Sequence, residues 1–455
     1  MSKVLRVSLV VATLLAILSV ALVRWAGPDD DSAYIPPETL LTPEVRMLRA
    51  YLRINTSNPP GNETDGAKFL VAQLKEAGIE AEIIESSPGR GNVYARIRGS
   101  RDGEGLLLLH HIDVVPADPK LWSVPPFGGD VAMDRLYGRG ALDMKGIGIS
   151  HLIAFIEVAK SGRTPVRDIV FLATADEERG GREGIGWLVT HRPDIFRGIS
   201  GAISEGGITE MNADKVRYFG VEVGSKQFIR TKLVSAARDE LHRVRIALEP
   251  RFHPHDADRL VPGIREYFQR IAPHRITNGE IFRDPETAIA RGSFWRLHRN
   301  YRTLAQNNLW AGGVWQSPDG SFSMDVVLQQ LPDEDPKSAI ERFRLSVAPV
   351  RVEVIDQTGV ALLSSTGTEL YRRIVKAVQG SYGRVDVGPY IFPYGTTDSR
   401  HLRQLGISAY GFFPFPVDFF QTESIHKQDE FIRLDRFRRG VRLLAGLVRD
   451  YAFQE

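Results

Sequence analysis

The stretch Leu106–Gly146, LLLLHHIDVVPADPKLWSVPPFGGDVAMDRLYGRGALDMKG, opens as a strand and then places His111, Asp113 and Asp143 in one loop region. The leucines Leu106 to Leu109 suit a strand buried on both faces of a parallel sheet better than one with a wet face. His111 and Asp113 follow where that strand ends, and open α/β sheets bind ligands at the carboxyl ends of their strands. Two apart in extended chain, the pair points to one side. A carboxylate in that position can accept one ring N–H, fix the tautomer and leave the other nitrogen for a metal. The structural alternative, a satisfied strand-end histidine followed by a turn-forming aspartate, stays open for this motif taken alone.

The pattern recurs further along. A predicted strand Ile169–Ala173 runs into Thr174, Ala175, Asp176, Glu177 and Glu178, and another, Ile199–Ile203, ends in Ser204, Glu205, Gly206 and Gly207. Buried strands therefore end in carboxylates or histidine at what should be one edge of one sheet. Adjacent acids such as Glu177 and Glu178 are usually a solvated loop, but the apolar strand before them holds this pair near the sheet. Helices are predicted at 43–54, 65–76 and 147–159, and further strands at 81–84 and 92–97. This alternation predicts an α/β fold with a central mixed, largely parallel sheet flanked by helices.

From about Gly224 the pattern changes to strands at 227–234, 321–328 and 350–355 with helices at 240–248, 262–271 and 337–346. It reads as a smaller α/β sandwich inserted into the main domain, because a helix at 369–378, a strand at 409–413 and a helix at 435–451 resume the sheet-and-helix alternation of the first half. The predicted division is 1–27 as a signal peptide or membrane anchor, 28–40 as a linker, 41–223 and 358–455 as the main domain, and 224–357 as the insertion.

Composition narrows the function classes. The chain has 455 residues, 43% hydrophobic and 25% charged, which are ordinary globular values. Its 58 basic and 56 acidic residues leave a formal charge of +2, so no overall field attracts nucleic acid and no nucleic-acid partner is expected. Without cysteine there are no disulfides or thiolate ligands, and any metal site must use nitrogen and oxygen. At the N-terminus Lys3 and Arg6 precede an apolar run from Val7 to Val23, long for a signal peptide and short for a comfortable membrane span. Ser19 and Ala21 offer a small-residue cleavage site, and Arg24 with Trp25 an interfacial stop. This segment predicts an exported, periplasmic or extracytoplasmic protein, with membrane attachment through the segment left open.

The motifs HHIDVVP, WSVPPFGGDV, YGRGALDMKG, ATADEERGG, SEGG, YGTTDSRHL and ESIHKQDEF follow one another in this order. In them the chain resembles the dinuclear zinc peptidases and amidohydrolases that include carboxypeptidase G, carboxypeptidase S, the aminoacylases, acetylornithine deacetylase and succinyl-diaminopimelate desuccinylase. The resemblance covers about 42–224 and 363 onward, closest in style to the carboxypeptidase S branch. It implies two Zn2+ ions per chain, one held by His111, Asp143 and Glu205 and the other by Asp143, Glu178 and His426, with Asp143 bridging. It also implies Asp113 and Glu177 as the catalytic pair, Asp113 orienting His111 and Glu177 acting as general base. A cis peptide between Asp143 and Met144 is implied too, as is hydrolysis of small peptides or N-acyl amino acids. The main domain would be catalytic and 224–357 a lid.

The lid departs from the family. In family members it is often in dimer contact and contributes a histidine, whereas here LVSAARDELHRV stands where a Gly-His-Ser segment is usual. AGGVWQSPDGS stands for an Asn-Val-Ile-Pro segment, and Gln329 and Gln330 lie about where an arginine is common. His242 is a candidate for the missing histidine, although it falls in a predicted amphipathic helix. A homodimer stays open. So does a second function, a catalytically impaired family member that keeps its metals and binds peptides or a protein partner. Against it stands the complete ligand set together with Glu177. Finally, YGFFPFPVDFF (Tyr410–Phe420) carries five phenylalanines, which either pack the sheet on the terminal helix or line the cleft and favour apolar substrates.

Overall fold

Leu106–Leu109 are completely buried in the middle of the largest sheet of the computed structural model, which describes residues 38–454 apart from 213–214, 249–258, 359–361, 394 and 418. In chain order the strands begin with β1 (Glu82–Glu85), β2 (Gly91–Ile97), β3 (Arg101–His111), β4 (Val131–Ala132) and β5 (Arg135–Tyr137). They continue with β6 (Arg167–Thr174), β7 (Ile199–Ser204), β8 (Ile208–Asn212), β9 (Lys215–Ser225), β10 (Gln227–Ser235), β11 (Asn308–Gln316), β12 (Phe322–Gln330) and β13 (Arg351–Thr358). The chain then returns with β14 (Asp386–Phe392), β15 (Ser408–Gly411) and β16 (Phe431–Arg433).

The large sheet has the order β1-β2-β6-β3-β7-β15-β9-β14, with β8 beside β9. Its middle strands β6, β3, β7 and β15 are parallel, while β1 and β2 join antiparallel, as predicted for a mixed, largely parallel sheet. Every residue of β6 is buried, so its unbroken apolar run reflects helices on both faces. Helix Lys145–Ala159 is apolar nearly all round, and it lies between β3 and β6 on one side and the terminal helix Leu434–Phe453 on the other. The terminal helix turns Leu434, Phe437, Val441, Leu444, Val448 and Tyr451 inward, the i, i+3, i+4 spacing of a single apolar face.

The inserted sandwich is an antiparallel sheet in the order β11-β12-β10-β13, with helices Arg238–Leu248 and Pro336–Val347 packed on it. Ile229, Leu233, Leu241, Met324 and Phe343 belong to its own core. Helix Pro262–Ile271 departs from expectation. It packs on β9 and β14 of the large sheet rather than on the insertion, with Tyr267 against Tyr218 and Tyr390. Periodicity reveals an apolar helix face but carries no information about which sheet will cover it. Membrane attachment was left open by the sequence, and among the described residues no helix is long and apolar enough to cross a membrane. Segment 1–27, which carried that expectation, lies outside the described residues.

One buried ion pair braces the strand ends. Arg403 donates to both carboxylate oxygens of Glu222 at 3.0 and 2.8 Å, and Glu222 also accepts the Gly411 N–H at 3.1 Å. Removing one partner of such a pair leaves an uncompensated buried charge, at a cost of about 3–5 kcal/mol. Arg403→Met should therefore lower the unfolding free energy by about that amount in urea titration. Arg344→Ala, which breaks an exposed pair with Glu341, should change it by less than about 1 kcal/mol.

Candidate metal centre

Because β6, β3 and β7 are parallel neighbours, their carboxyl ends deliver Asp176–Glu178, His111 and Glu205 side by side. After Glu205 the chain turns through Gly206 at φ 114° and Gly207 at φ 92°. A Cβ on Gly207 would stand 2.5 Å from the Gly220 carbonyl oxygen, so glycine is required there. After β6 the chain turns at Asp176, a non-glycine residue in the left-handed region at φ 68°. The Asp176 carboxylate holds that turn by accepting from Arg90 Nη2 at 2.8 Å, Asn58 Nδ2 at 3.0 Å and the Glu183 N–H at 3.1 Å.

Asp113 acts on the same turn. Its two carboxylate oxygens accept the N–H of Glu177 at 3.1 Å and of Glu178 at 3.2 Å, and Asn58 Nδ2 donates to it at 2.9 Å. His111 Nδ1 lies 2.9 Å from the main-chain carbonyl of Asp113 but 3.5 Å from its carboxylate. The tautomer is thus set chiefly by the carbonyl, and the Asp113 side chain mainly orients the acidic turn. Asn58, Glu63 and Arg90, which complete this network, were missed at the sequence level. Asn58 sits 55 and 118 positions from its two carboxylate partners, and no local spacing signals such a contact.

Asp143 faces both histidines. Its Oδ1 is 3.0 Å from His111 Nε2 and its Oδ2 is 2.9 Å from His426 Nε2. Glu205 Oε2 lies 3.7 Å from His111 Nε2, and Glu178 Oε2 lies 3.3 Å from His426 Nε2. Ligand-type atoms of His111, Asp143 and Glu205 all lie within 4.8 Å of one another, and so do those of Asp143, Glu178 and His426. Residues scattered from 111 to 426 are therefore brought together in two groups that share Asp143. The Asp143–Met144 peptide is cis.

The electrostatics are those of crowded acids. Burial, with Asp143 beside it, pushes the Glu205 carboxyl up to about 8. Burial likewise raises Glu178, with Asp143 adding to it, and raises Glu177 well above the carboxylate range, with Glu205, Asp398 and Glu178 contributing. Hydrogen bonds to Asp143 and Glu178 raise the His426 imidazole to about 11. Burial opposes charge on His111, yet Glu205, Asp113 and Asp143 together hold it well above the ordinary histidine value. The cluster thus draws positive charge onto its histidines. Glu178 Oε1 is buried with no hydrogen-bond partner among the described residues. Imidazole and carboxylate donors without thiolate, an orphaned carboxylate oxygen and this demand for positive charge fit divalent cations such as zinc.

Other sequence candidates lie elsewhere. His242 stands half-buried on the insertion's helix Arg238–Leu248. Phe412 packs on Phe219 and Phe415 on Phe437 of the terminal helix, both completely buried, with Phe413 against Phe415. The packing reading holds for these three, and they give no ground for an apolar substrate preference.

Comparison with known proteins gives this geometry a family. The profile of Peptidase family M20/M25/M40 matches residues 107–450. Mouse (Mus musculus) aminoacylase-1 is 26% identical over 89% of this chain and 94% of its own length. The M20 family metallo-carboxypeptidase Sso-CP2 from Sulfolobus solfataricus superposes with a TM-score of 0.68 at 17% identity, covering 90% of this chain and 99% of that one. The Bacillus subtilis YXEP protein, described as a dinuclear metal binding peptidase from the M20 family, superposes with a TM-score of 0.54 at 12% identity over 91% and 98% of the two chains. The same comparison corrects the expected exported, periplasmic or extracytoplasmic location. The aminoacylase-1 enzymes it matches almost end to end lend export no support, and no described helix is long and apolar enough to cross a membrane. A profile match spanning most of the chain, over a fold shared with solved peptidases, makes this protein a member of peptidase family M20/M25/M40, a metal-binding hydrolase of amide bonds.

Proposed function

We propose that the protein hydrolyses small peptides or N-acyl amino acids using two zinc ions, one on His111, Asp143 and Glu205 and one on Asp143, Glu178 and His426. The observation that carries this is Asp143, whose two oxygens each face a different histidine within 3.0 Å. A shared carboxylate is what two closely spaced cations need to offset their repulsion. When bound, such a pair supplies Lewis acidity to a scissile carbonyl and makes water a nucleophile at neutral pH.

The chain's own residues do the rest. His111 donates Nδ1–H to the Asp113 carbonyl, which leaves its Nε2 lone pair directed at the centre. Asp113 holds the 177–178 amides and so fixes the turn that carries both acids, Glu178 as a ligand and Glu177 as the general base in this reading. Glu177 takes a proton as the new C–O bond forms and returns it to the amine nitrogen as the C–N bond breaks. The same reading takes 41–223 and 358–455 as the catalytic domain and 224–357 as its lid. Gln329 of the lid donates to the Pro393 carbonyl at 2.6 Å while accepting from Asn308 at 2.8 Å, a link between the lid and the loop before Gly395. The aminoacylase-1 likeness supports N-acyl amino acids and the carboxypeptidase likeness supports peptides.

Glu177→Ala should keep two zinc ions by elemental analysis while turnover of dipeptides and N-acyl amino acids falls by about 10²–10⁴-fold. Glu178→Ala should lose one ion as well. Equal zinc loss in both variants would overturn the roles assigned to this pair.

Chelation should abolish hydrolysis, and added zinc should restore it. Because zinc would bind the folded chain, the melting temperature should rise with zinc concentration, equivalent to about 2.7 kcal/mol at a hundredfold excess over Kd. A melting temperature indifferent to zinc would count against the centre.

A further inference from the structure

We propose that Glu430 is a positioning residue that sets Asp143 against His426. The inference rests on the reading of those two residues as metal ligands. Glu430 is completely buried, and its carboxylate gathers the loop that ends in Asp143. Oε1 accepts the N–H of Leu142 at 2.8 Å and of Asp143 itself at 3.2 Å. Oε2 accepts from Arg139 Nη1 at 2.6 Å and from the Gly140 N–H at 3.1 Å.

Glu430 also belongs to the segment that carries His426, only four residues away. That segment is docked on the same loop region at several points. Arg139 Nη2 donates to the Lys427 carbonyl at 3.0 Å, and the Gly138 N–H donates to the Glu430 carbonyl at 3.0 Å. The N–H and hydroxyl of Ser123 both donate to the Asp429 carboxylate at 2.7 Å. β16 then pairs with β5, Phe431 opposite Tyr137. His426 and Asp429 sit in the left-handed region at φ 63° and 56°, a conformation non-glycine residues adopt only when their surroundings hold it. One carboxylate and one guanidinium thus tie the Asp143 amide to the segment that carries His426.

A plain fold brace would show the same burial, and Glu222 with Arg403 is such a brace. Glu430 differs because one of its donors is the amide of Asp143. Both of its oxygens are occupied by N–H donors. A glutamine in its place would turn its NH2 group against either the Leu142 and Asp143 amides or Arg139 and the Gly140 amide, whichever way it flipped. The shape would survive and the clamp would open.

The test uses the full chain with Glu430→Gln and Arg139→Lys, and Asp143→Ala and His426→Ala as references. Zinc stoichiometry and affinity come from chelator competition, the cobalt-loaded spectrum reports ligand geometry, and urea unfolding of the metal-free proteins reports the fold. Glu430→Gln and Arg139→Lys should weaken the ion that His426→Ala loses by about 10–100-fold, as loss of a ligand's supporting partner does. They should also alter the cobalt spectrum and lower kcat more than they change KM. If both variants hold two ions at wild-type affinity with an unchanged spectrum while His426→Ala has lost one, Glu430 is only a brace and the proposal falls. If Asp143→Ala and His426→Ala keep both ions, the metal-centre reading itself falls and takes this inference with it. Should Glu430→Gln not fold, Arg139→Lys, which leaves the Glu430 carboxylate in place, decides between these outcomes by the same measurements.

Discussion

Mutual repulsion among carboxylates buried at the carboxyl edge of one sheet is the constraint on which the rest of this structure depends. Asp113, Asp143, Glu177, Glu178, Glu205 and Asp398 are close enough to perturb one another's protonation or that of the histidine between them. Burying such groups is expensive unless each is paired or fully hydrogen-bonded. The acids around the centre meet this in an ordinary way. Glu63 and Asp176 share Arg90, Glu430 has Arg139 and Glu222 has Arg403. Asp143, Glu178 and Glu205 have no guanidinium within ion-pair reach among the described residues, only His111 and His426. The difference marks where a cation is needed and where the fold has already supplied one.

Around that centre the scaffold is stiff for identifiable reasons. The parallel strands β6, β3 and β7 deliver their ends in fixed register, because helix Lys145–Ala159 is buried against them and is itself backed by the terminal helix. The turns that leave those strands are held in left-handed conformations by glycine at 206 and 207, and by a network of hydrogen bonds at Asp176. Residues far apart in the chain act as one unit here. Asn58, ahead of the first strand, joins Asp113 to Asp176, and Glu430, close to the last helix, gathers the amides before Asp143. The clustered side chains are therefore positioned in part by residues outside the cluster.

The insertion shows a different balance. Its sheet and the two helices on it form their own apolar core, yet the helical stretch at 262–271 serves the large sheet instead. Glu210 on β8 accepts from Tyr267 and Tyr301, which fastens that stretch to the edge of the main domain. Gln329 adds a second tie through the Pro393 carbonyl. In this chain the insertion and the large sheet are thus tied by packing and by hydrogen bonds.

Much of the fold was legible in the sequence. Unbroken apolar runs such as Leu106–Leu109 and Ile169–Ala173 determine buried parallel strands, because only a strand covered on both faces can bury consecutive side chains. The motifs shared with the zinc peptidases and amidohydrolases carried His111, Asp143, Glu178, Glu205 and His426 as candidates before any of them was seen together. What the sequence by itself did not decide were contacts that depend on closure of the whole chain. The facing of Asp143 toward both histidines, the part played by Asn58 and Arg90, the clamp at Glu430 and the sheet chosen by helix Pro262–Ile271 all belong to this class. The phenylalanines at 412, 413 and 415 make the same point, since composition allowed cleft or core and packing against Phe219 and Phe437 settled on core. The physical reason is range: periodicity and turn chemistry act over a few neighbouring residues, whereas a buried charge finds its partner wherever folding brings one within hydrogen-bond distance.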